Sequence, residues 1–143
     1  MQTVLDPCCG GRMFYFDKNH SNVLYLDRRS ETVKMKDRDN IRTLNIQPDY
    51  LSDFTNLNFP DNTFLFVVFD PPHYINVGKN SWLAKKYGKL EKDTWRETLS
   101  KGLSECLRVV KQLLATKQAR LDGYFLLKTK GVNDKEITSQ ETT

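Results

Sequence analysis

Six consecutive apolar residues, Phe64 to Phe69, run directly into a carboxylate and two prolines. The run has strand length, is rich in β-branched and aromatic residues and lacks polar alternation, so it predicts a strand buried on both faces of a parallel sheet. Pro71 and Pro72 cannot continue a ladder of hydrogen bonds, so the strand must end at Asp70. A carboxylate at the carboxyl end of a central parallel strand lies where open α/β sheets bind ligands.

Other apolar segments have the length and composition of strands or of a short helix. Residues 12–18 predict a short first helix, with Met13, Phe14 and Phe16 covering the sheet. The remaining predicted strands are residues 2–6, 22–27, 41–46 and 123–128.

The charged and amphipathic segments between the strands predict further helices. Residues 29–40 mix charges of both signs and predict a solvated helix or loop. Thr94 and Glu97 form a capping-box pattern, and apolar residues recur at helical spacing from Trp95 to Leu114. The polar segment 112–122 is expected to extend this helix and its loop. Alternation of strands and helices in this order predicts a doubly wound α/β sheet.

Length and composition indicate one soluble globular domain. The chain has 143 residues, and we assign residues 1–130 to the domain and the polar residues 131–143 to a loose tail. No segment has the length of a membrane span or of a signal peptide, so we expect a cytoplasmic protein. Three cysteines, two of them adjacent, form neither a disulfide framework nor a zinc site, and no metal is expected. The net charge of +4 permits nucleic-acid binding without requiring it.

Two further strand ends carry acidic residues beside a glycine-containing loop. The first predicted strand ends at Asp6 and is followed by Pro7-Cys8-Cys9-Gly10-Gly11, small residues that suit a loop lying close to a ligand. The second ends at Asp27. In nucleoside-binding α/β folds, an acid about 20 residues past the first loop accepts hydrogen bonds from the ribose hydroxyls. The alternative is a surface carboxylate paired with Arg28 or Arg29.

A basic segment with interleaved aromatic residues follows the central strand. Cations beside aromatic rings suit phosphates and unstacked bases, although a solvated basic loop is an equal alternative. Its candidate substrate-binding residues are Lys79, Trp82, Lys85, Lys86 and Tyr87.

These features together resemble the S-adenosylmethionine-dependent amino-methyltransferases. Asp70-Pro71-Pro72-His73 resembles their motif IV, Asp/Asn-Pro-Pro-aromatic, with His73 where the family has Tyr or Phe. Asp6-Pro7-Cys8-Cys9-Gly10-Gly11 resembles their motif I, with Arg12 at the position of the second family glycine. The start of the chain and its Asp-Pro-Pro-His site are similar to small phage and prophage methyltransferases.

The resemblance implies roles for particular residues. It places Asp6, Pro7, Cys8, Gly10 and Asp27 around the cofactor, S-adenosylmethionine. It also suggests Asp53 for the adenine amino group and Phe54 for stacking, with a helix N-cap as the alternative for Asp53. Arg12 would meet the methionine carboxylate or a substrate phosphate.

In this family Asp70 and the Pro71 carbonyl would accept hydrogen bonds from an exocyclic amine, and His73 would stack on the base. The resemblance implies a Rossmann-like, mostly parallel sheet that here lacks the C-terminal strand hairpin. It favours transfer to adenine N6 in DNA. RNA bases, a protein amide and a non-catalytic binding module are the alternatives. A homodimer or a protein partner stays open.

Overall fold

The computed structural model describes residues 1–117 and 124–129. It is an α/β structure with a mostly parallel sheet of six strands in the order β5-β2-β1-β6-β7-β8, plus a separate two-stranded sheet, β3-β4. The elements in chain order are β1 Val4–Asp6, β2 Val23–Asp27, β3 Glu31–Asp37, β4 Asn40–Ile46, β5 Tyr50–Leu51, β6 Phe64–Phe69, α1 Trp82–Tyr87, α2 Trp95–Val109, β7 Val110–Lys117 and β8 Tyr124–Thr129.

The predicted central strand is confirmed as β6, which lies between β1 and β7 and is parallel to both. Leu5 of β1 and Val67 of β6 are fully buried, as expected for strands covered on both faces. Helix α2 packs against this sheet through Cys106 and Val109, which are also fully buried. The four strands β2, β1, β6 and β7 therefore run side by side with their carboxyl ends at one edge.

The predicted first helix at residues 12–18 is wrong, because this segment consists of turns. Arg12 adopts a left-handed backbone conformation with φ of 55°, which is incompatible with continuing a helix. The side chains expected to cover the sheet are instead solvent-exposed: 60% for Met13, 40% for Phe14 and 111% for Phe16. Tyr15 packs inward in their place, with its ring centroid 5.1 Å from that of Tyr25.

The expected helix or loop at residues 29–40 is also wrong, because most of it is strand β3. This strand pairs antiparallel with β4, so the predicted strand at residues 41–46 is confirmed, but within a hairpin outside the main sheet. Val33, Leu44 and Ile46 are buried on one face of the hairpin. Charged residues alternate with the apolar ones in β3, which is the two-residue period of a strand with one solvated face.

The long amphipathic helix is confirmed as α2, but it ends at Val109 rather than beyond Leu114. Val110 is extended and begins β7 directly, and Leu114 is fully buried opposite Val67 of β6. Pairing with β6 therefore overrides the helical spacing of these apolar residues. Thr94 occupies the N-cap position, but its side chain makes no capping hydrogen bond.

The strand predicted at residues 123–128 is confirmed as β8, which is antiparallel to β7. We expected one strand after the long helix and no C-terminal hairpin. Among the described residues, two strands follow α2, and these strands, β7 and β8, pair antiparallel. The predicted tail at residues 131–143 lies outside the described residues. Within the described ranges, no helix is long and apolar enough to cross a membrane.

Candidate functional site

Three carboxylates converge at the carboxyl edge of the sheet. Strands β2, β1 and β6 are neighbours and parallel, so Asp27, Asp6 and Asp70 at their ends meet at one edge. All three line a cavity of about 310 Å³. This volume is at the lower end of the range typical of small-molecule sites.

Hydrogen bonds to two of these acids, Asp6 and Asp27, hold the loop after β1 over the end of β2. Asp6 Oδ1 accepts a hydrogen bond from the Cys8 amide at 3.2 Å, and Asp27 Oδ2 accepts one from the Gly10 amide at 2.9 Å. Gly10 has φ of 50°, a conformation that costs glycine little and other residues more. The predicted proximity of Asp6, Gly10 and Asp27 is therefore present in the structure.

Asp6 is the most perturbed carboxyl group of the site. Its side chain is 2% exposed, and burial raises its pKa to about 7 against the opposing hydrogen bond from the Cys8 amide. The neighbouring charges of Asp70 and Asp27 raise this pKa further. The Tyr15 hydroxyl is buried beside the carboxyl group and lowers its pKa. The three carboxylates therefore form an acidic centre within a cavity whose lining also includes six cations, Arg28, Arg29, Lys79, Lys85, Lys86 and Lys89.

Asp27 also carries the ion pair that was considered as an alternative to ribose binding. Its Oδ1 accepts hydrogen bonds from the Arg29 amide at 2.9 Å and from Arg29 Nε at 3.3 Å. Arg29 Nη1 in turn donates to the Lys85 carbonyl at 2.7 Å. Arg29 thus joins the end of β2 to α1, and Asp27 retains oxygen lone pairs for a further donor.

The four residues from Asp70 to His73 all line the cavity. Gly88 (φ 76°) packs against this segment, because a Cβ atom there would lie 2.9 Å from Pro72 Cγ. The rings of His73, Tyr74 and Tyr87 form an aromatic cluster, with centroid separations of 4.4 Å for His73–Tyr74 and 5.4 Å for His73–Tyr87. A rigid proline turn and an aromatic surface thus lie side by side at the cavity.

The structure divides the predicted basic segment between two places. Lys79, Lys85, Lys86 and Tyr87 line the cavity with the three acids. Trp82 instead packs against the β3–β4 hairpin and lines a neighbouring groove. The cations therefore surround an acidic centre, whereas the indole lies outside it.

Asp53 and Phe54 are neighbours in the chain, but only Phe54 lines the cavity. Asp53 is exposed and does not line the cavity; its Oδ1 accepts hydrogen bonds from the amide and the hydroxyl of Thr55 at 2.8 and 2.7 Å. Those hydrogen bonds outweigh the effect of partial burial and lower its pKa. No helix follows, so the contact is an Asx-turn and not an N-cap. Phe54 lines the cavity but is 3% exposed and packs edge to face on Phe69, with centroids 5.4 Å apart.

Arg12 is held in a structural role. Its guanidinium donates to the Lys18 carbonyl at 2.8 Å and to the Gln47 carbonyl at 2.7 Å, and it lies 3.5 Å from an Asp49 oxygen. It also lies over the Tyr25 ring, 3.9 Å from the centroid. Arg12 does not line the cavity, so it is not placed to make the predicted contact with a methionine carboxylate.

The sequence analysis missed several residues of the cavity. Arg29 and Glu31 follow Asp27 closely, and an ion-pair pattern at a strand end is the signal that could have identified them. No local pattern identifies Met13 and Phe14 as cavity residues, because they follow a turn at Arg12 that the sequence did not predict. Outside the Pro7–Gly11 loop, the missed residues are Met13, Phe14, Arg28, Arg29, Glu31, Ala84, Gly88 and Lys89.

The cysteines are not prepared for nucleophilic chemistry. Burial raises the pKa of Cys8 well above the usual thiol value, with the Asp6 charge adding to the effect. Burial likewise raises the pKa of Cys9 to about 12 and also raises that of Cys106. Because the thiolate is the reactive form, all three act as small packing residues near neutral pH.

Comparison with protein-family models, with curated proteins and with solved structures found no match. Within residues 1–117 and 124–129, no group of three or more His, Cys, Asp or Glu side chains could hold a metal ion.

Proposed function

We propose that this chain is an S-adenosylmethionine-dependent methyltransferase acting on an exocyclic amine, with the Rossmann-like arrangement of that enzyme class. The single observation that supports this most strongly is the meeting of Asp6, Asp27 and the Asp70-Pro-Pro-His segment at one cavity. Asp6 and Asp70 are 64 positions apart along the chain, and the sequence related these features only through predicted strand ends and the resemblance. Their convergence is what a shared cofactor and substrate site requires.

The charge of the cavity suits the cofactor. S-adenosylmethionine carries a sulfonium and an ammonium group, and it supplies an electrophilic methyl group when bound. Asp6, Asp27 and Asp70 place three carboxyl groups at the cavity, where they would stabilise these cationic groups; burial, more than the charges of Asp70 and Asp27, raises the pKa of Asp6. Asp27 would accept the ribose hydroxyls, the Pro7–Gly11 loop would lie under the methionine portion, and Phe54 would contact the adenine.

The Asp70 segment suits the acceptor amine. The Asp70 carboxylate and the Pro71 carbonyl are hydrogen-bond acceptors held on a rigid turn, so they would orient the nitrogen lone pair toward the methyl carbon. The carbon–sulfur bond breaks as the carbon–nitrogen bond forms. The positive charge that develops on nitrogen is stabilised by Asp70, which accepts the proton the amine loses and passes it to water.

The aromatic cluster favours a flat acceptor. His73 ends the Asp70 segment and packs against Tyr87, and ring surfaces of this kind bind an unstacked base. Adenine N6 in DNA is therefore the first candidate, reached by flipping the base out of a duplex. RNA bases and a protein amide are rival acceptors that use the same chemistry. A non-catalytic binding module is the rival of another class, favoured by the Arg29–Asp27 ion pair at the expected ribose position.

The experiment combines cofactor titration with a transfer assay on matched Asp70 variants. Calorimetry with S-adenosylmethionine and S-adenosylhomocysteine should show binding to the wild-type chain that Asp27→Ala abolishes. Asp70→Ala should keep the cofactor affinity while losing about 100- to 1,000-fold in methyl transfer to DNA. Asp70→Asn should keep measurable activity, because the amide oxygen still accepts a hydrogen bond from the amine.

Two results would contradict the proposal. A folded wild-type chain that binds neither cofactor form would leave the binding module as the better account. Equal turnover by the wild type and Asp70→Ala would remove the assigned role of the tetrapeptide.

A further inference from the structure

A second groove lies beside the acidic cavity. It has a volume of about 600 Å³ and is bounded by strand β4, by the turns after Gly11 and by helix α1. Gly11, Met13 and Lys86 line both the groove and the acidic cavity, so the two are contiguous. A ligand held in one can therefore continue into the other.

The charged residues that line this second groove are all cations, whereas the cavity has carboxylates among its cations. The lining of the groove includes Arg12, Lys18, Arg42 and Lys86 and, among the described residues, no carboxylate. Asp49 lies 3.5 Å from Arg12 and partly neutralises it, and Lys18 and Lys86 add further positive charge to the lining. The groove is therefore suited to an anionic ligand.

An indole and several amide groups accompany these cations. Trp82 lines the groove, and its position is set by packing against Val33, Leu44 and Ile46 of the hairpin. Asn45 and Gln47 also line it. Cations, amides and an aromatic ring along one groove are the combination that contacts a sugar-phosphate backbone with an unstacked base.

We propose that this groove binds the phosphates of the nucleotides that flank the target base, with the β3–β4 hairpin acting as a substrate-binding element. The inference rests on the proposed function for its assignment of the target base to the acidic cavity. A nucleobase within a strand always has phosphates on both sides of its nucleotide, whereas a protein amide carries no regular anions. An amine site formed by three carboxylates, next to a groove whose charged lining residues are all cations, therefore favours a nucleic acid.

The test compares two lysines that differ in position but not in chemistry. Lys18 lines the groove, whereas Lys34 is exposed on the hairpin face opposite the buried Val33–Leu44 pair. Lys18→Glu and Lys34→Glu change the net charge equally. Fluorescence anisotropy with a labelled DNA strand of about 20 nucleotides, single-stranded and duplex, is measured for each without cofactor at a series of salt concentrations.

Lys18→Glu should weaken binding at least about fivefold near 0.1 M salt. It should also reduce the steepness with which the logarithm of the binding constant falls with the logarithm of salt concentration, by about 0.7 to 0.9. Lys34→Glu should change both quantities much less. Arg42→Glu, on the groove side of the hairpin, should behave like Lys18→Glu. Circular dichroism confirms that each variant folds.

The outcomes separate this inference from the proposed function. Equal weakening by Lys18→Glu and Lys34→Glu would mean attraction to net charge alone and would overturn the inference. A wild-type chain that methylates a peptide amide but binds no oligonucleotide would also overturn it, while the proposed methyl transfer stands. Groove-dependent oligonucleotide binding by a chain that binds no cofactor would support the groove and refute the methyltransferase proposal.

Discussion

Replacing Asp6 by Asn should stabilise the protein at high pH and have little effect at low pH. Burial raises the pKa of Asp6 from an ordinary value near 4 to about 7. The folded chain therefore holds this proton more tightly than the unfolded chain. Stability that is present at about pH 4 is then lost as the pH rises to about 7.

The magnitude follows from the size of this difference. Three pKa units at about 1.4 kcal/mol each correspond to about 4 kcal/mol, the upper limit of what ionising Asp6 can cost the folded state. The amide of Asn stays neutral, and its Oδ1 can still accept the Cys8 amide hydrogen bond that Asp6 makes at 3.2 Å. The unfolding free energies of the two proteins should thus diverge by up to about 4 kcal/mol between pH 4 and pH 8.

The assay is urea unfolding of both proteins at several pH values without ligand, followed by tryptophan fluorescence. Asp53→Asn is the matched control, because hydrogen bonds from Thr55 lower the pKa of that carboxyl group. Loss of the Asp53 charge should therefore destabilise the chain at neutral pH, the opposite sign. A difference between wild type and Asp6→Asn that does not change with pH, or that favours Asp6 at high pH, would refute the reasoning.

Two predictions concern the packing of α2, and both are checked by urea unfolding. Gly102→Ala should destabilise the fold by about 1–3 kcal/mol despite the better helix propensity of alanine, because the new Cβ would overlap the Phe54 ring and lie 2.9 Å from Phe69. Ser100→Ala, on the exposed face of the same helix, should not destabilise it; an equal loss in both would contradict the packing argument. Arg108→Lys should lower the urea concentration at the unfolding midpoint, because one ammonium cannot replace the guanidinium donors to the Leu57 carbonyl at 2.8 Å, the Phe59 carbonyl at 2.6 Å and Glu105. Unchanged stability of Arg108→Lys would show that these contacts contribute little.

Local patterns were sufficient for the elements that bring the acids to the site. The apolar run Phe64–Phe69 predicts a buried strand, which is correct except at the exposed Leu65 and the half-buried Phe66, and the two prolines after Asp70 determine where the strand must end. Asp6 and Asp27 are likewise identified by position, because each ends a short apolar segment. The parallel pairing of β1, β2 and β6 is not explained by the predicted alternation of strands and helices, because no helix lies between β1 and β6 in the structure.

Local patterns failed where distant contacts decided the conformation. Residues 31–37 carry enough charge to resemble a solvated helix, but Val33 packs with Leu44 and Trp82 and so stabilises a hairpin. Leu114 fits the helical spacing of α2, yet its burial against β6 selects a strand. In both places tertiary packing outweighs intrinsic propensity, which is a weak preference of less than about 1 kcal/mol per residue.

The sequence by itself determined which acids end the strands and which cations follow them, because strand termination and charge are local properties. Only the tertiary structure decided that Asp6 is buried beside two other carboxylates, that Arg12 is held by distant carbonyls, and that Asp53 faces away from the cavity. Only the tertiary structure, too, brings the three carboxylates into one cavity and places a groove without carboxylates beside it. These properties depend on which residues meet in space, since burial and electrostatic potential arise from neighbours that lie far apart in the chain.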